Sequence, residues 1–352
     1  MTDFSNYRLG GYLAASDDQP VVTLQQVASL KLPPHIDLRA MCSPVENQGG
    51  IGSCTANAVV GALEYHQIRH GYKLTDLSRL FVYYNARRLS DRESVDTGTS
   101  MPHVMASVLA FGACAEQLWP YDEARWSQRP SEDCYNQALT LPGLHYARIA
   151  PGEECKSVLA AGLPVVFAMQ VPTQALMVTA AKTGHVLAPQ GGQWEQPDGA
   201  HAMLIVGYDD GKNAWLVRNS WGPAYAEGGH VWIDYAVMDH YCLPDGFWTV
   251  GDLDRNKFFK LAGPSPQVVQ EQTMAKAPPS VVEELSRFRR GLREQLETHL
   301  DDTKRSLRDR LRGPGAGGGY DKGPGAGGGY DKGPGVGGGY DKGPGAGGGY
   351  DD

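Results

Sequence analysis

No uninterrupted apolar run in this chain approaches the ~20 residues that span a bilayer, so no membrane helix is expected. The opening residues Met1 to Leu9 lack a basic stretch leading into an apolar one, so a conventional secretory signal is missing from the sequence as given. A cytoplasmic protein, or one exported by a non-classical route, fits that start. Positive charge is not in excess: 32 Lys and Arg stand against 40 Asp and Glu, a formal net charge of −8, which gives no electrostatic reason to expect nucleic-acid binding. Cysteine is sparse, six in 352 residues: Cys42, Cys54, Cys114, Cys134, Cys155 and Cys242. The length is too great for one minimal domain and suits one two-lobed body with extensions.

One of those cysteines stands out. The glycine-rich run Asn47-Gln48-Gly49-Gly50-Ile51-Gly52-Ser53 ends at Cys54, and helical periodicity begins there, with Ala58, Ala62 and Leu63 on one face. A thiol at a helix N-terminus faces unpaired backbone N–H groups and the positive end of the dipole, which lowers its pKa and favours the nucleophilic thiolate. Far downstream, His201 opens an apolar β-type run and Asn219 closes the next, Ala214 to Arg218. A cysteine followed about 130–150 residues later by a histidine and then an asparagine is a nucleophile–base–orienter pattern. Gln48 lies six positions before Cys54.

These segments, with Asn219-Ser220-Trp221-Gly222, resemble the papain superfamily of cysteine peptidases, in a variant with a short N-terminal segment. The resemblance covers residues 34–261 and implies an α+β, two-lobed fold: a helical lobe, an antiparallel β lobe and an active-site cleft between them. It implies that Cys54 is the nucleophile, His201 the proton carrier, Asn219 the residue that orients the imidazole, and Gln48 an oxyanion donor. Trp221 would screen the Asn–His contact, and Gly98, in the polar loop 94–100, would let substrate backbone approach the cleft wall. The reaction implied is peptide-bond hydrolysis, with protein or peptide substrates and no cofactor or metal. Two other functions share these residues or this fold: acyl transfer on side-chain amides, as in a deamidase or transglutaminase, and a non-catalytic binding scaffold. Thr55 and Tyr225-Ala226 replace the tryptophan and Trp-Gly usual in relatives, which alters the packing around the site and leaves its four chemical groups intact. Secreted relatives commonly carry a disulfide cysteine three positions before the nucleophile; Ile51 stands there, which points towards a reducing compartment.

The rest of the chain divides by composition. Residues 1–33 are too short for a folded prodomain; Tyr7, Leu9, Tyr12 and Leu13 around Gly10-Gly11 suit either a loosely docked terminus or a chain laid over the cleft, as in a zymogen. Pro34 to about Pro164 reads as mostly helical, with helices from Cys54 towards His70, Leu77 to Arg87 capped by Ser78, and Pro102 to Phe111 closed by Gly112. Strands follow at 163–169, 201–208, 214–218 and 230–233. Residues 262–280 are a Pro-rich linker, and 281–312 an amphipathic helix with nine Arg and Lys against seven Asp and Glu, fit for protein contact or self-association. Neither supplies a group to a cleft, so the region after Leu261 is expected to be dispensable for hydrolysis. Residues 313–352 repeat Gly-Pro-Gly-Ala-Gly-Gly-Gly-Tyr-Asp-Lys with a period of ten and are expected to be disordered, because so much glycine cannot offset the entropy of ordering.

Overall fold

The computed structural model describes residues 7–14, 22–26, 30–138, 145–171, 174–251, 259–263 and 266–312. The glycine-rich repeats lie outside them. The chain divides into two compact units, residues 1–298 and 299–352; the described part of the second consists of the last turns of one helix.

The described strands form one sheet. They are β1 (Thr23–Gln26), β2 (His35–Asp37), β3 (His145–Arg148), β4 (Val165–Val171), β5 (His185–Val186), β6 (Gly199–Asp209), β7 (Ala214–Arg218), β8 (His230–Asp234), β9 (Trp248–Gly251) and β10 (Phe259–Ala262). Their order is β10-β1-β3-β9-β4-β6-β7-β8-β5, with β2 added to β6. Pairing is antiparallel except for β1 with β3 and β5 with β8. β4, β6 and β7 are the centre of this sheet and are buried almost throughout. Both faces of a central strand are covered, so their apolar runs are nearly continuous and do not alternate.

The helices are α1 (Cys54–Arg69), α2 (Arg79–Arg88), α3 (Met101–Phe111), α4 (Glu132–Ala138), α5 (Glu153–Ala160), α6 (Gln174–Thr183), α7 (Tyr235–Tyr241), α8 (Pro266–Lys276) and α9 (Pro279–Arg312). The caps expected at Ser78 and Gly112 are present, while α2 begins at Arg79 and not at Leu77, and α3 one residue before Pro102. Ser78 accepts a hydrogen bond from Phe81 N at 3.1 Å, and Gly112 closes α3 at φ 72°. From Cys54 to His66, α1 is buried on every side, the mark of a central helix. Its small residues allow close approach: a Cβ at Gly61 would lie 3.3 Å from Arg218 Nε and 3.7 Å from Leu204. The helix that begins at Cys54 is thereby pressed against β6, which carries His201, and β7, which leads into Asn219.

Two expectations need correction. Residues 23–26 are a strand of the sheet, paired with β10 and β3, so this part of the N-terminal segment is not laid over the surface. The stretch expected as a linker carries α8. The beginning of the amphipathic helix is docked on α2 and α4: Val281 and Leu285 are buried, Phe288 stacks on Tyr135 at 5.0 Å, and Glu284 pairs with Arg88 and Arg129. These interactions are tertiary, and a reading by local composition has no signal for them.

Candidate active site

Cys54 is the first residue of α1 and is fully buried. Its preceding residue, Ser53, makes no capping bond; its hydroxyl instead contacts Tyr121 Oη at 2.5 Å and accepts from Asn57 Nδ2 at 3.0 Å. Helix-start N–H groups therefore remain available to the sulfur. Burial pushes the thiol up to about 11, outweighing the backbone N–H groups of Ala202, Thr55 and Cys54 itself, which pull it down. The expected lowering by the helix terminus is present but loses to desolvation. Water is kept from this sulfur by something the helix pattern does not contain.

His201 lies on β6 and Asn219 directly after β7, and the two strands pair antiparallel with Leu204 opposite Arg218. That register brings His201 Nε2 to 2.9 Å from Asn219 Oδ1. An amide oxygen only accepts, so Nε2 carries the proton and Nδ1 holds the lone pair of the neutral ring. Nδ1 is buried and has no hydrogen-bond partner. Burial lowers the imidazole pKa to about 4, against the opposing pull of Asn219. Ala202, whose N–H faces the Cys54 sulfur, is the next residue after His201, so thiol and imidazole belong to one constellation. Trp221 is buried with its ring centroid 5.4 Å from that of His201.

Gln48 is tied to the same strand end. Its backbone N–H donates to Ser220 O at 2.8 Å, and its side-chain oxygen accepts from the Ser220 hydroxyl. One N–H of its amide is used on Ile51 O at 3.1 Å; an amide nitrogen carries two. The loop is braced from its other side by residues that sequence reasoning did not single out. Tyr121 Oη donates to Gln48 O at 2.8 Å, Glu123 accepts from Gly50 N at 2.7 Å, and Asp96 accepts from Gly52 N at 3.0 Å. No sequence signal marks these three, since each acts across more than forty positions of chain.

Residues 7–14 cross this constellation. Tyr7 stacks on Trp221 at 5.1 Å, and Gly10 N donates to Ala200 O at 2.8 Å. Gly11 O accepts from Thr99 N at 3.1 Å, and Leu13 N donates to Thr99 O at 3.0 Å, so the segment is held like an added strand. Arg8 pairs with Asp96, which also receives the Tyr83 hydroxyl. Gly98, at φ 76°, faces Gly11: a Cβ there would lie 2.2 Å from Gly11 O. The segment thus covers Cys54, and its backbone uses the wall on which Gly98 sits.

Residues 32–243 match the family described as papain family cysteine protease. The chain is 30% identical over 217 residues to an uncharacterized peptidase C1-like protein of Acanthamoeba polyphaga mimivirus, covering 59% of this chain and 69% of that protein. It is also 30% identical over 230 residues to human (Homo sapiens) cathepsin L2, covering 60% of this chain and 63% of the relative. Among solved structures, xylellain, a cysteine protease from Xylella fastidiosa, superposes with a TM-score of 0.58 at 29% identity, covering 70% of this chain and 97% of that one.

Proposed function

We propose that this chain, which belongs to the papain family of cysteine proteases, hydrolyses peptide bonds through Cys54, His201, Asn219 and Gln48. The observation that carries the reading is the state of His201: one ring nitrogen fixed by Asn219, the other buried and unpartnered. A buried polar atom without a partner costs free energy, and a proton-transfer role explains its retention. In the reaction His201 Nδ1 takes the thiol proton and Cys54 Sγ attacks the substrate carbonyl carbon. The second N–H of Gln48 and the backbone N–H of Cys54 bind the oxyanion, one such donor being worth roughly 2.7–4 kcal/mol. The imidazolium then protonates the leaving amine, and water, deprotonated by the same ring, releases the acyl group. Asn219 keeps the imidazole in register throughout, as the aspartate does in serine triads.

The covered site is the resting form in this reading. With the thiol at about 11 and the imidazole at about 4, both groups are neutral at pH 7. Departure of residues 7–14 admits water, relieves both desolvation penalties and lets the thiolate–imidazolium pair form. Gly11 O accepts from Thr99 N, so the segment is held on the wall of the site by its backbone. The test is cleavage of a protein substrate by the parent chain and by Cys54→Ala, followed by mass spectrometry of the products. Chain scission that disappears in the variant supports the reading. Ammonia release with intact chains would indicate amide transfer instead.

A further inference from the structure

Ser53 and Gln48 meet at one hydroxyl. The peptide between Ser53 and Cys54 is planar, so whatever fixes Ser53 O also aims the Cys54 N–H on the opposite side. Ser53 O is fixed twice, by Asn57 N at 3.0 Å and by Asn57 Nδ2 at 3.0 Å. Gln48 is held from one side by Ser220 and from the other by Tyr121, whose hydroxyl lies 2.8 Å from Gln48 O. The same hydroxyl lies 2.5 Å from Ser53 Oγ. One phenol oxygen therefore touches both ends of the loop 48–53, and these ends carry the two groups proposed to bind the oxyanion.

The direction of each proton in this network is set at its two ends. Arg79 opens α2 and can only donate, so the Asn57 atom facing its Nη1 at 3.3 Å is the amide oxygen. Asn57 Nδ2 is thereby turned towards Ser53, where it also donates to Oγ at 3.0 Å. A backbone carbonyl only accepts, so the Tyr121 proton points at Gln48 O, and the Ser53 hydroxyl gives its own proton to Tyr121 Oη. The bonds run one way, from Arg79 through Asn57, Ser53 and Tyr121 to Gln48. Hydrogen bonds aligned head to tail strengthen one another, and Arg79, Asn57, Ser53 and Gln48 are all buried. Burial raises the Tyr121 pKa, so the phenol keeps the proton it donates. The ring is clamped as well. Arg79 lies 4.3 Å over its centroid and pairs with Glu46 at 3.1 Å and Glu116 at 3.4 Å, and Glu116 accepts from Tyr121 N at 2.5 Å.

We infer that Tyr121 is a positioning residue for the oxyanion, its hydroxyl locking the Gln48 amide and the Cys54 N–H into one geometry before substrate arrives. This deepens the peptidase reading and rests on it. Tyr121 acts through Gln48 and Ser53 and not on the reacting atoms. Donors aimed in advance stabilise the charge as it develops and need no reorganisation at that moment. Phenylalanine in its place keeps a ring under Arg79 but deprives the Ser53 hydroxyl and Gln48 O of the bond each makes to the phenol. Attack of Sγ on a carbonyl builds an oxyanion, whereas alkylation of Sγ at a saturated carbon builds none. The two reactions thus tell positioning from mere support of the fold.

The experiment compares Tyr121→Phe with its parent in the full chain. Both are made with and without Gly11→Ala, whose Cβ would crowd Cys54 Sγ, so that the covering segment does not limit every rate alike. Three reactions are followed: hydrolysis of a fluorogenic peptide amide, inhibition by the matching peptide aldehyde, and alkylation by iodoacetamide. The expected result is a kcat lower by about 10- to 100-fold with KM within about threefold. The aldehyde, whose adduct presents an oxygen to the same donors, should bind more weakly by about the factor lost in kcat/KM. Alkylation should stay within about twofold. A kcat within about twofold of the parent's, or an alkylation rate that falls as far as kcat, overturns the inference. Ser53→Ala cuts the network at another link and should lower kcat by about 3- to 10-fold, with Tyr121→Phe costing less in its presence than alone. Should circular dichroism find Tyr121→Phe unfolded, Ser53→Ala decides: lowered kcat with unchanged alkylation supports the inference, and unchanged kcat overturns it. A chain that cleaves peptides and is indifferent to both substitutions loses only the role of Tyr121. A parent chain alkylated at Cys54 that cleaves no peptide loses the peptidase reading, and this inference with it.

Discussion

A side chain at Gly11 would place its Cβ 2.7 Å from Cys54 Sγ and 2.7 Å from Gly52 O. Neither neighbour can yield, one being the first residue of a buried helix and the other backbone. Gly11→Ala should therefore lift residues 7–14 off the site while leaving the core of the fold untouched. Epoxide labelling of Cys54 is expected to accelerate by about tenfold or more, equivalent to ~1.4 kcal/mol of lost docking. Added peptide spanning residues 1–30 should slow it again. Identical labelling rates in parent and variant would show that this segment does not control access.

The pH dependence of that labelling follows from the covered site. Burial puts the thiol at about 11, above its ordinary value, so in the parent chain the reactive thiolate fraction should keep growing through the alkaline range. In Gly11→Ala the rise should occur at lower pH, because the sulfur is hydrated and the imidazole can hold its proton. Hydrolysis by the opened enzyme should follow a bell-shaped profile that reports the coupled pair. A profile unshifted by Gly11→Ala would contradict desolvation as the cause.

Substitutions at the site should differ in kind. Cys54→Ala and His201→Ala remove the proposed nucleophile and proton carrier, and peptide hydrolysis should vanish in both. Asn219→Ala removes an orienting bond of 2.9 Å, so kcat should fall with a smaller loss in KM, and activity should remain measurable. Steady-state kinetics on one fluorogenic peptide checks all three. A harmless Asn219→Ala would remove Asn219 from the machinery.

Glu64 makes stability fall with rising pH. It is 2% exposed, accepts from the Ser43 hydroxyl at 2.6 Å and from Leu77 N at 2.8 Å, and burial lifts its pKa from 4.5 to about 7. Between those values the unfolded chain has released the proton and the folded chain has kept it, so raising the pH favours unfolding. The penalty grows from pH 4.5, levels above about 7 and amounts to about 3 kcal/mol. Denaturant unfolding of parent and Glu64→Gln at pH 5 and pH 8 should show the variant gaining relative stability at the higher pH.

The C-terminal extension should prove structural over its first part. Glu284 pairs with Arg88 and Arg129, and the Arg88 side chain is only 9% exposed. Glu284→Ala strands a largely buried charge and should cost about 2 kcal/mol or more, lowering Tm by several degrees. Ending the chain after residue 312 should leave Tm unchanged, whereas ending it at 261 also uncovers the aromatic face of Tyr135. Differential scanning calorimetry of the three proteins makes the comparison.

The sequence by itself determined what depends on local chemistry and order along the chain. The glycine run before Cys54, the helix it opens, and a histidine and an asparagine at the edges of apolar strands marked the four groups proposed to react, because each such signal is local or a matter of spacing. The caps at Ser78 and Gly112 were legible for the same reason. Only the tertiary structure decided which effect wins at the sulfur. The helix terminus lowers the Cys54 pKa, but Gly11, more than forty residues upstream, excludes the water that a thiolate needs, and burial prevails. The tertiary structure likewise brought Asp96, Tyr121 and Glu123 to the loop of Gln48. These are single contacts between distant positions, set by how α1, the central strands and the N-terminal segment pack, and no periodicity in the chain encodes them.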